Sequence, residues 1–236
     1  MSGVEQYLIS LDRFTRVNRN RSYSFSSLYL IEDKKTKQKY IANILRDTED
    51  DESRKRSLKQ IEYISQLQHP TIVKFVGYSP VDFEGNNRIT IVTEFQSNGD
   101  LQQVIKEGKL DNTKRQIIFV GVSRALMYLH SNNLIHRDIK PANILIDDKF
   151  HPHLTDFFLM AKHIPDDYYT LTGTLFYMAP EIMRSTEAFG SKNYDTSVDI
   201  YSFAITMVEV IEGKLELNEP IINNFKFLQN VLKGYR

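Results

Sequence analysis

The chain has 236 residues, of which 41% are apolar, enough for a buried core in one large domain or two modest lobes. Thirty basic and thirty acidic side chains cancel, so no net field draws the protein onto nucleic acid or an anionic membrane. With no cysteine there is no disulfide, no thiolate zinc site and no cysteine nucleophile, which fits a reducing compartment.

The first residues, 1–11, carry Glu5 and Gln6 among few apolar positions and do not form a signal peptide; they are read as an N-terminal extension. Short apolar runs then alternate with turn-forming or charged segments. They predict strands over Phe14 to Val17, Ser26 to Ile31, Lys39 to Leu45, Ile72 to Tyr78 and Ile89 to Phe95. One helix interrupts them between Asp51 and Gln68, where Leu58, Ile61, Ile64 and Leu67 recur at threefold spacing behind the acidic start Glu49 to Glu52. The polar Ser97-Asn98-Gly99 reads as a linker. Helices dominate beyond it: Asp100 to Glu107, then Thr113 to Ser131 with Ile118, Val122, Ala125 and Leu129 in register. Val198 to Ile211 is apolar on nearly every face and is expected to be buried within the second lobe. Ser202, Thr206 and Glu209 interrupt it and it is too short to span a bilayer, so the expectation is a cytoplasmic protein with no membrane segment.

The densest chemistry lies in His136-Arg137-Asp138-Ile139-Lys140-Pro141-Ala142-Asn143-Ile144-Leu145. Asp138 can accept a hydroxyl proton, Lys140 can reach a transferring phosphate, and the Asn143 carbonyl oxygen can hold a divalent cation. Those are the parts of phosphoryl transfer. His151-Pro152-His153 brings two histidines together without a carboxylate or thiol set in the sequence around it, and reads as structural.

That loop is followed by Asp156-Phe157-Phe158, Gly173-Thr174, Met178-Ala179-Pro180-Glu181 and Asp199-Ile200-Tyr201-Ser202-Phe203. In this order the motifs resemble the protein kinase superfamily, with Lys140 similar to the serine/threonine branch and Tyr201-Ser202-Phe203 to its tyrosine-kinase-like group. The resemblance implies an α+β, bilobal protein kinase-like fold over 12–236: a small antiparallel sheet lobe with one helix at about 12–95, a hinge at about 94–99, and a larger, mainly helical lobe at about 100–236. The final two helices of the family have no counterpart in this sequence, so the fold is expected to be C-terminally short and Glu181 to lack its usual anchor. By the same resemblance Asp138 is the catalytic base, Lys140 a phosphate contact, and Asn143 and Asp156 the metal ligands for ATP with Mg or Mn. Arg21, Asn43, Thr93 and Glu94 are the nucleotide-binding candidates. His136 and Phe157 would stack with Ile64, and Asp199 would brace the catalytic loop.

Four departures bear on activity. Arg21, Tyr23 and Ser26 fill the three glycine positions of the family's phosphate-covering turn, where a side chain blocks close backbone approach; an ordinary hairpin with a serine-rich turn is the favoured alternative. Asn43 replaces the ATP-orienting lysine and cannot give a charge-assisted hydrogen bond. Lys39 shares its face, but four residues along a strand put its backbone about 13 Å away. Arg21 is the better candidate for a relocated cation. Gln60 replaces the lysine's glutamate partner: it lies on the face of Ile64 and Leu67, whereas Glu62 is about 200° further round. A neutral pair leaves no unpaired buried charge, which points to coordinated loss of the salt bridge. Finally, Phe158 stands where the family has glycine and resists a positive φ, so the segment either takes another backbone path or is strained. Tyr168, Tyr169, Thr170 and Thr172 could carry a regulatory phosphate paired with Arg137.

The favoured expectation is therefore a pseudokinase or very weak kinase acting through protein binding. An active serine/threonine kinase with Asp138 as base is the alternative, and transfer of another group from ATP a third. The partner is a protein substrate or binding protein; the oligomeric state is not specified by the sequence.

Overall fold

The computed structural model describes residues 3–22, 26–46, 51–162, 174–184 and 195–214. They belong to two compact units that divide between Ser97 and Asn98, within the sequence-assigned linker.

In the first unit five antiparallel strands run β1 (Phe14–Ser22), β2 (Ser26–Asp33), β3 (Lys39–Leu45), β4 (Phe75–Ser79) and β5 (Thr90–Glu94), in the order β1-β2-β3-β5-β4. β1 extends five residues beyond the sequence expectation because its polar residues complete the hairpin, with Arg21 opposite Leu28 and Ser22 opposite Ser27. β4 starts later than expected, at Phe75. The sheet carries two apolar faces. Phe14, Ile31, Tyr40, Ala42 and Val92 pack on one; Leu45 and Ile89 meet Tyr78 and Ile61 on the other. β3 serves both by alternation, which a strand buried on each side requires.

Ile61 comes from α1 (Asp51–Gln66), whose first turn holds Asp51 and Glu52 at its positive end. Ile61 and Ile64 are buried, Gln60 is half-buried and Glu62 exposed, as the helical face argument requires. The segment read as an extension also joins this unit: Val4 packs with Leu45 and Ile61, and Leu11 with Phe14.

The second unit is mainly helical. Asp100 caps α2 (Leu101–Lys106) and Asp111 caps α3 (Asn112–Ser131), each carboxylate accepting a backbone N–H from the first turn. Ile118, Val122, Ala125 and Leu129 form the buried stripe of α3. Four short strands were not legible in the sequence: β6 (Leu134–Ile135) pairs with β9 (Ala161–Lys162), and β7 (Ile144–Ile146) with β8 (Pro152–Leu154). Two or three residues do not establish a period. α4 (Pro180–Arg184) follows, then α5 (Ser197–Glu212), ended by Gly213 in the left-handed conformation. The expectation of a fully buried α5 is corrected. Val198, Phe203 and Val210 are inside, but Ile200, Val208 and Ile211 are about half exposed at 52%, 48% and 50%.

Leu129 is fully buried, whereas Met127 on the same helix is 65% exposed. Leu129→Ala should therefore lower the unfolding free energy by about 2–5 kcal/mol in a urea titration. Met127→Ala should change it by less than about 0.5 kcal/mol.

Candidate active site

The loop from His136 to Asn143 is built over one carboxylate. Asp199, on the first turn of α5, is fully buried and accepts three hydrogen bonds: from His136 N–H at 2.9 Å, Arg137 N–H at 2.8 Å and His130 Nε2 at 2.9 Å. Two successive backbone amides aimed at one group force a sharp bend, and Arg137 has φ +69°. A non-glycine residue resists that conformation, so the buried acceptor is what holds it. The Arg137 guanidinium donates to the Leu159 carbonyl, tying the loop to the segment after Asp156. The His136 ring donates from Nε2 to the Thr155 carbonyl at 2.9 Å and meets the Phe157 ring edge-on at 5.3 Å.

Asp138 sits on this platform, 7% exposed. Lys140 Nζ lies 2.6 Å from its Oδ2 and 2.6 Å from Thr174 Oγ1, and that hydroxyl donates to Asp138 Oδ1 at 2.8 Å. Burial pushes the Asp138 carboxyl up, but the hydrogen bond and charge of Lys140 and the hydrogen bond of Thr174 outweigh it, and the net shift is downward. The group is held as an anion, the form that accepts a proton.

Asn143 Nδ2 lies 2.8 Å from both the Asp138 carbonyl and its Oδ2. Two acceptors on one side fix the amide, so its oxygen points the other way and is the atom suited to a cation. Asp156 enters from the far end of the β7–β8 hairpin with φ +60°. It keeps an exposed side, yet the protein mass around its carboxyl, together with the Asp138 charge, raises its pKa against the pull of His136 and Lys140. A carboxylate and an amide oxygen are hard donors that fit Mg or Mn. The hairpin joins them directly: Thr155 N–H donates to the Asn143 carbonyl.

The positive φ in Asp156-Phe157-Phe158 falls on the aspartate, not on Phe158. Phe157, Phe158 and Leu159 form a turn of 3-10 helix, with Phe157 buried and Phe158 45% exposed. The bulky replacement of glycine is thus accommodated by the backbone path. Close to the hairpin, His151 Nδ1 and His153 Nε2 lie 3.2 and 3.5 Å from Asp147 Oδ2, a carboxylate the sequence reading did not place there. No group of three or more histidine, cysteine or acidic side chains among the described residues could hold a metal ion.

The first unit holds the other candidates. Arg21 and Asn43 both pair with Leu28, so their backbones stand two strand spacings apart, about 10 Å. Thr93 is opposite Ile41, and Glu94, opposite Tyr40, pairs with Lys74 at 3.3 Å. Asn43 Oδ1 is buried with no hydrogen-bond partner among the described residues. Tyr23, Gly173, the four hydroxyl residues Tyr168, Tyr169, Thr170 and Thr172, and the stretch 224–236 lie outside the described residues.

Sequence reasoning quoted Thr174 only as part of a motif and gave it no role; 34 positions separate it from Lys140, and no period links the two. It also passed over Tyr177, whose hydroxyl donates to the buried Glu209 at 2.6 Å while its carbonyl accepts from Ser202. Burial and the Glu209 contact push that phenol up.

A family model for the protein kinase domain matches residues 23–232. The chain belongs to the protein kinase family. It is 31% identical to an Aurora kinase of Yarrowia lipolytica over 93% of its own length and 57% of that protein. It is 32% identical to the cAMP-dependent protein kinase type 3 of Saccharomyces cerevisiae, over 75% of this chain and 43% of the yeast enzyme. A G-type lectin S-receptor-like serine/threonine-protein kinase of Arabidopsis thaliana is 33% identical over 87% of this chain and 26% of the plant protein. The chain thus spans from about a quarter to somewhat over half of these relatives. Its homologues include serine/threonine-protein kinases, its described fold is α+β, and no described helix is long and apolar enough to cross a membrane.

Because the Asp138 pKa is lowered, its contribution to stability is complete above the ordinary aspartate value near pH ~4 and is lost as pH falls through the lower folded value. Thr174→Val removes one donor, so the Asp138 carboxyl followed by NMR should titrate at higher pH. An unmoved titration would mean that Lys140 alone sets the shift.

Proposed function

We propose that this kinase domain is a pseudokinase or a very weak kinase that acts in signalling by binding other proteins. The observation that carries the reading is Asn43. A neutral amide stands where the family's lysine would be, its oxygen buried and without a partner among the described residues, and the neutral, half-buried Gln60 stands where its glutamate would be. Losing one charge-assisted phosphate contact costs about 2–4 kcal/mol of transition-state stabilisation, a factor of about 30 to 1000 in rate.

Active serine/threonine kinase chemistry is the second reading, favoured by the Asp138–Lys140–Thr174 cluster, which keeps a buried carboxylate ionised beside a cation. In that reading Asp138 takes the proton of a protein hydroxyl and Lys140 contacts the phosphate being transferred. Asn143 and Asp156 hold Mg or Mn, and Arg21, Asn43, Thr93 and Glu94 hold the nucleotide. ATP with its cation would supply the γ-phosphoryl group and neutralise its charge. Arg21 is the candidate in this reading for a relocated cation in place of the missing lysine. A cytoplasmic location goes with either reading.

The test is incubation with Mg-ATP labelled at the γ-phosphate and a generic protein substrate, beside Asp138→Asn. Label transfer that disappears in the control sinks the pseudokinase reading. In a thermal-shift titration, wild type at ~1 mM Mg-ATP should gain less than about 0.5 kcal/mol of stability, as a dissociation constant at or above that concentration dictates. The Asn43→Lys, Gln60→Glu double variant should shift further than wild type. Equal shifts would remove Asn43 from the nucleotide site.

A further inference from the structure

β4 is an edge strand of the five-stranded sheet, and residues 4–11 wrap around that edge from one face to the other. Val4 is 3% exposed on the α1 face, in a cluster with Leu45, Ile61, Tyr78 and Ile89, and Tyr7 meets Phe75 edge-on at 5.6 Å. Leu8 forms a parallel bridge to Tyr78, and Ile9 N–H donates to the Tyr78 carbonyl at 2.9 Å. Ile9 and Leu11 then pack on the opposite face with Phe14, Tyr40 and Val92. The crossing is made at Gly77. A Cβ there would stand 2.8 Å from the Tyr7 carbonyl oxygen and 2.6 Å from Ile9 Cγ2, so only glycine lets the two backbones come this close.

Backbone pairing to a free edge, with apolar side chains sent to alternate faces, is the geometry by which sheets accept an added peptide strand. Here the chain supplies that peptide itself. The hold is local: Ile9 N–H donates to the Tyr78 carbonyl and Leu8 bridges Tyr78, while Leu8 is 48% exposed. Segments so attached open in advance of the structure they cover.

We propose that residues 4–11 are a releasable clasp: closed, they cover the β4 edge and pack under α1 through Val4; open, they loosen α1 and leave a groove at Gly77 that takes an extended apolar peptide by strand addition. The proposal goes beyond the kinase reading and depends on neither nucleotide binding nor phosphoryl transfer. It makes α1, which carries Gln60, answerable to the first residues of the chain.

Two variants of the 236-residue chain separate the parts of the proposal. Val4→Asp places a charge in the apolar cluster and should release the clasp while leaving the groove intact. Gly77→Ala should release the clasp and also fill the groove. In both, native-state tryptic cleavage after Arg13 and amide exchange across 58–66 of α1 should rise at least about 10-fold, with exchange in α3 unchanged. A labelled peptide with the sequence of residues 3–12 is the probe for the groove. It should bind Val4→Asp, and should bind neither wild type, whose groove is filled, nor Gly77→Ala. Tyr7→Ala is the milder release to use if Val4→Asp does not fold. Unchanged cleavage in the released variants overturns the clasp. Cleavage without faster α1 exchange overturns its coupling to the helix, and equal peptide binding to Val4→Asp and Gly77→Ala overturns the groove.

Discussion

The buried carboxylate of Asp199 is the interaction on which the candidate site depends. An ion taken fully out of water is tolerated only when hydrogen bonds replace its hydration, and here two consecutive backbone amides and a histidine do so. The exchange works in both directions. The amides of His136 and Arg137 can converge on a single acceptor only if the chain bends sharply, and the bend leaves Arg137 at positive φ and Asp138 at the head of the loop. Without the acceptor the bend would relax, because nothing intrinsic to arginine favours it. The positions of Lys140, Thr174 and Asn143 around Asp138 inherit their order from that one anchor.

Around Asp138 the charges are matched locally. One carboxylate oxygen faces the Lys140 ammonium and the Asn143 amide, the other the Thr174 hydroxyl. Lys140 and Thr174 lower the carboxyl pKa against the burial that would raise it, and the net shift is downward. Asp156 shows the opposite balance. The surroundings of the two carboxylates push them in different directions, and in the kinase reading Asp138 is the proton acceptor and Asp156 a metal ligand. In the proposed kinase reading these are the residues of phosphoryl transfer. In the first unit the Asn43 amide oxygen is instead buried without a donor among the described residues. That contrast between the Asp138 cluster and the neutral Asn43 on β3 is what gives binding precedence over catalysis in the proposed function.

Much of the fold was legible because its long elements carry clear periods. α1, α3 and α5 have apolar residues at helical spacing, and β2, β3 and β5 have branched or aromatic residues at strand spacing, so their placement follows from burying one face of each. The inward face of Gln60 was read correctly from its spacing to Ile64 and Leu67. The half-exposed α5 was not, since an all-round apolar helix states that it avoids water but not how much of it finds a partner. Nor was the clasp. Val4, Tyr7, Ile9 and Leu11 follow no single period, because the segment crosses from one face of the sheet to the other, and the glycine that permits the crossing lies some seventy positions away in the chain.

The sequence by itself determined the family, the order of the two units, the run of motif residues from His136 to Leu145 and the neutral residues Asn43 and Gln60, because these are matters of residue type and local spacing. Only the tertiary structure decided that Thr174 joins Lys140 at Asp138, that the positive φ of the Asp156-Phe157-Phe158 segment lies on Asp156, and that residues 4–11 pair with the β4 edge. Each of those depends on a contact between residues far apart in the chain or on a backbone conformation set by neighbours. Such contacts are fixed by the joint packing of many side chains, and local spacing carries no record of it.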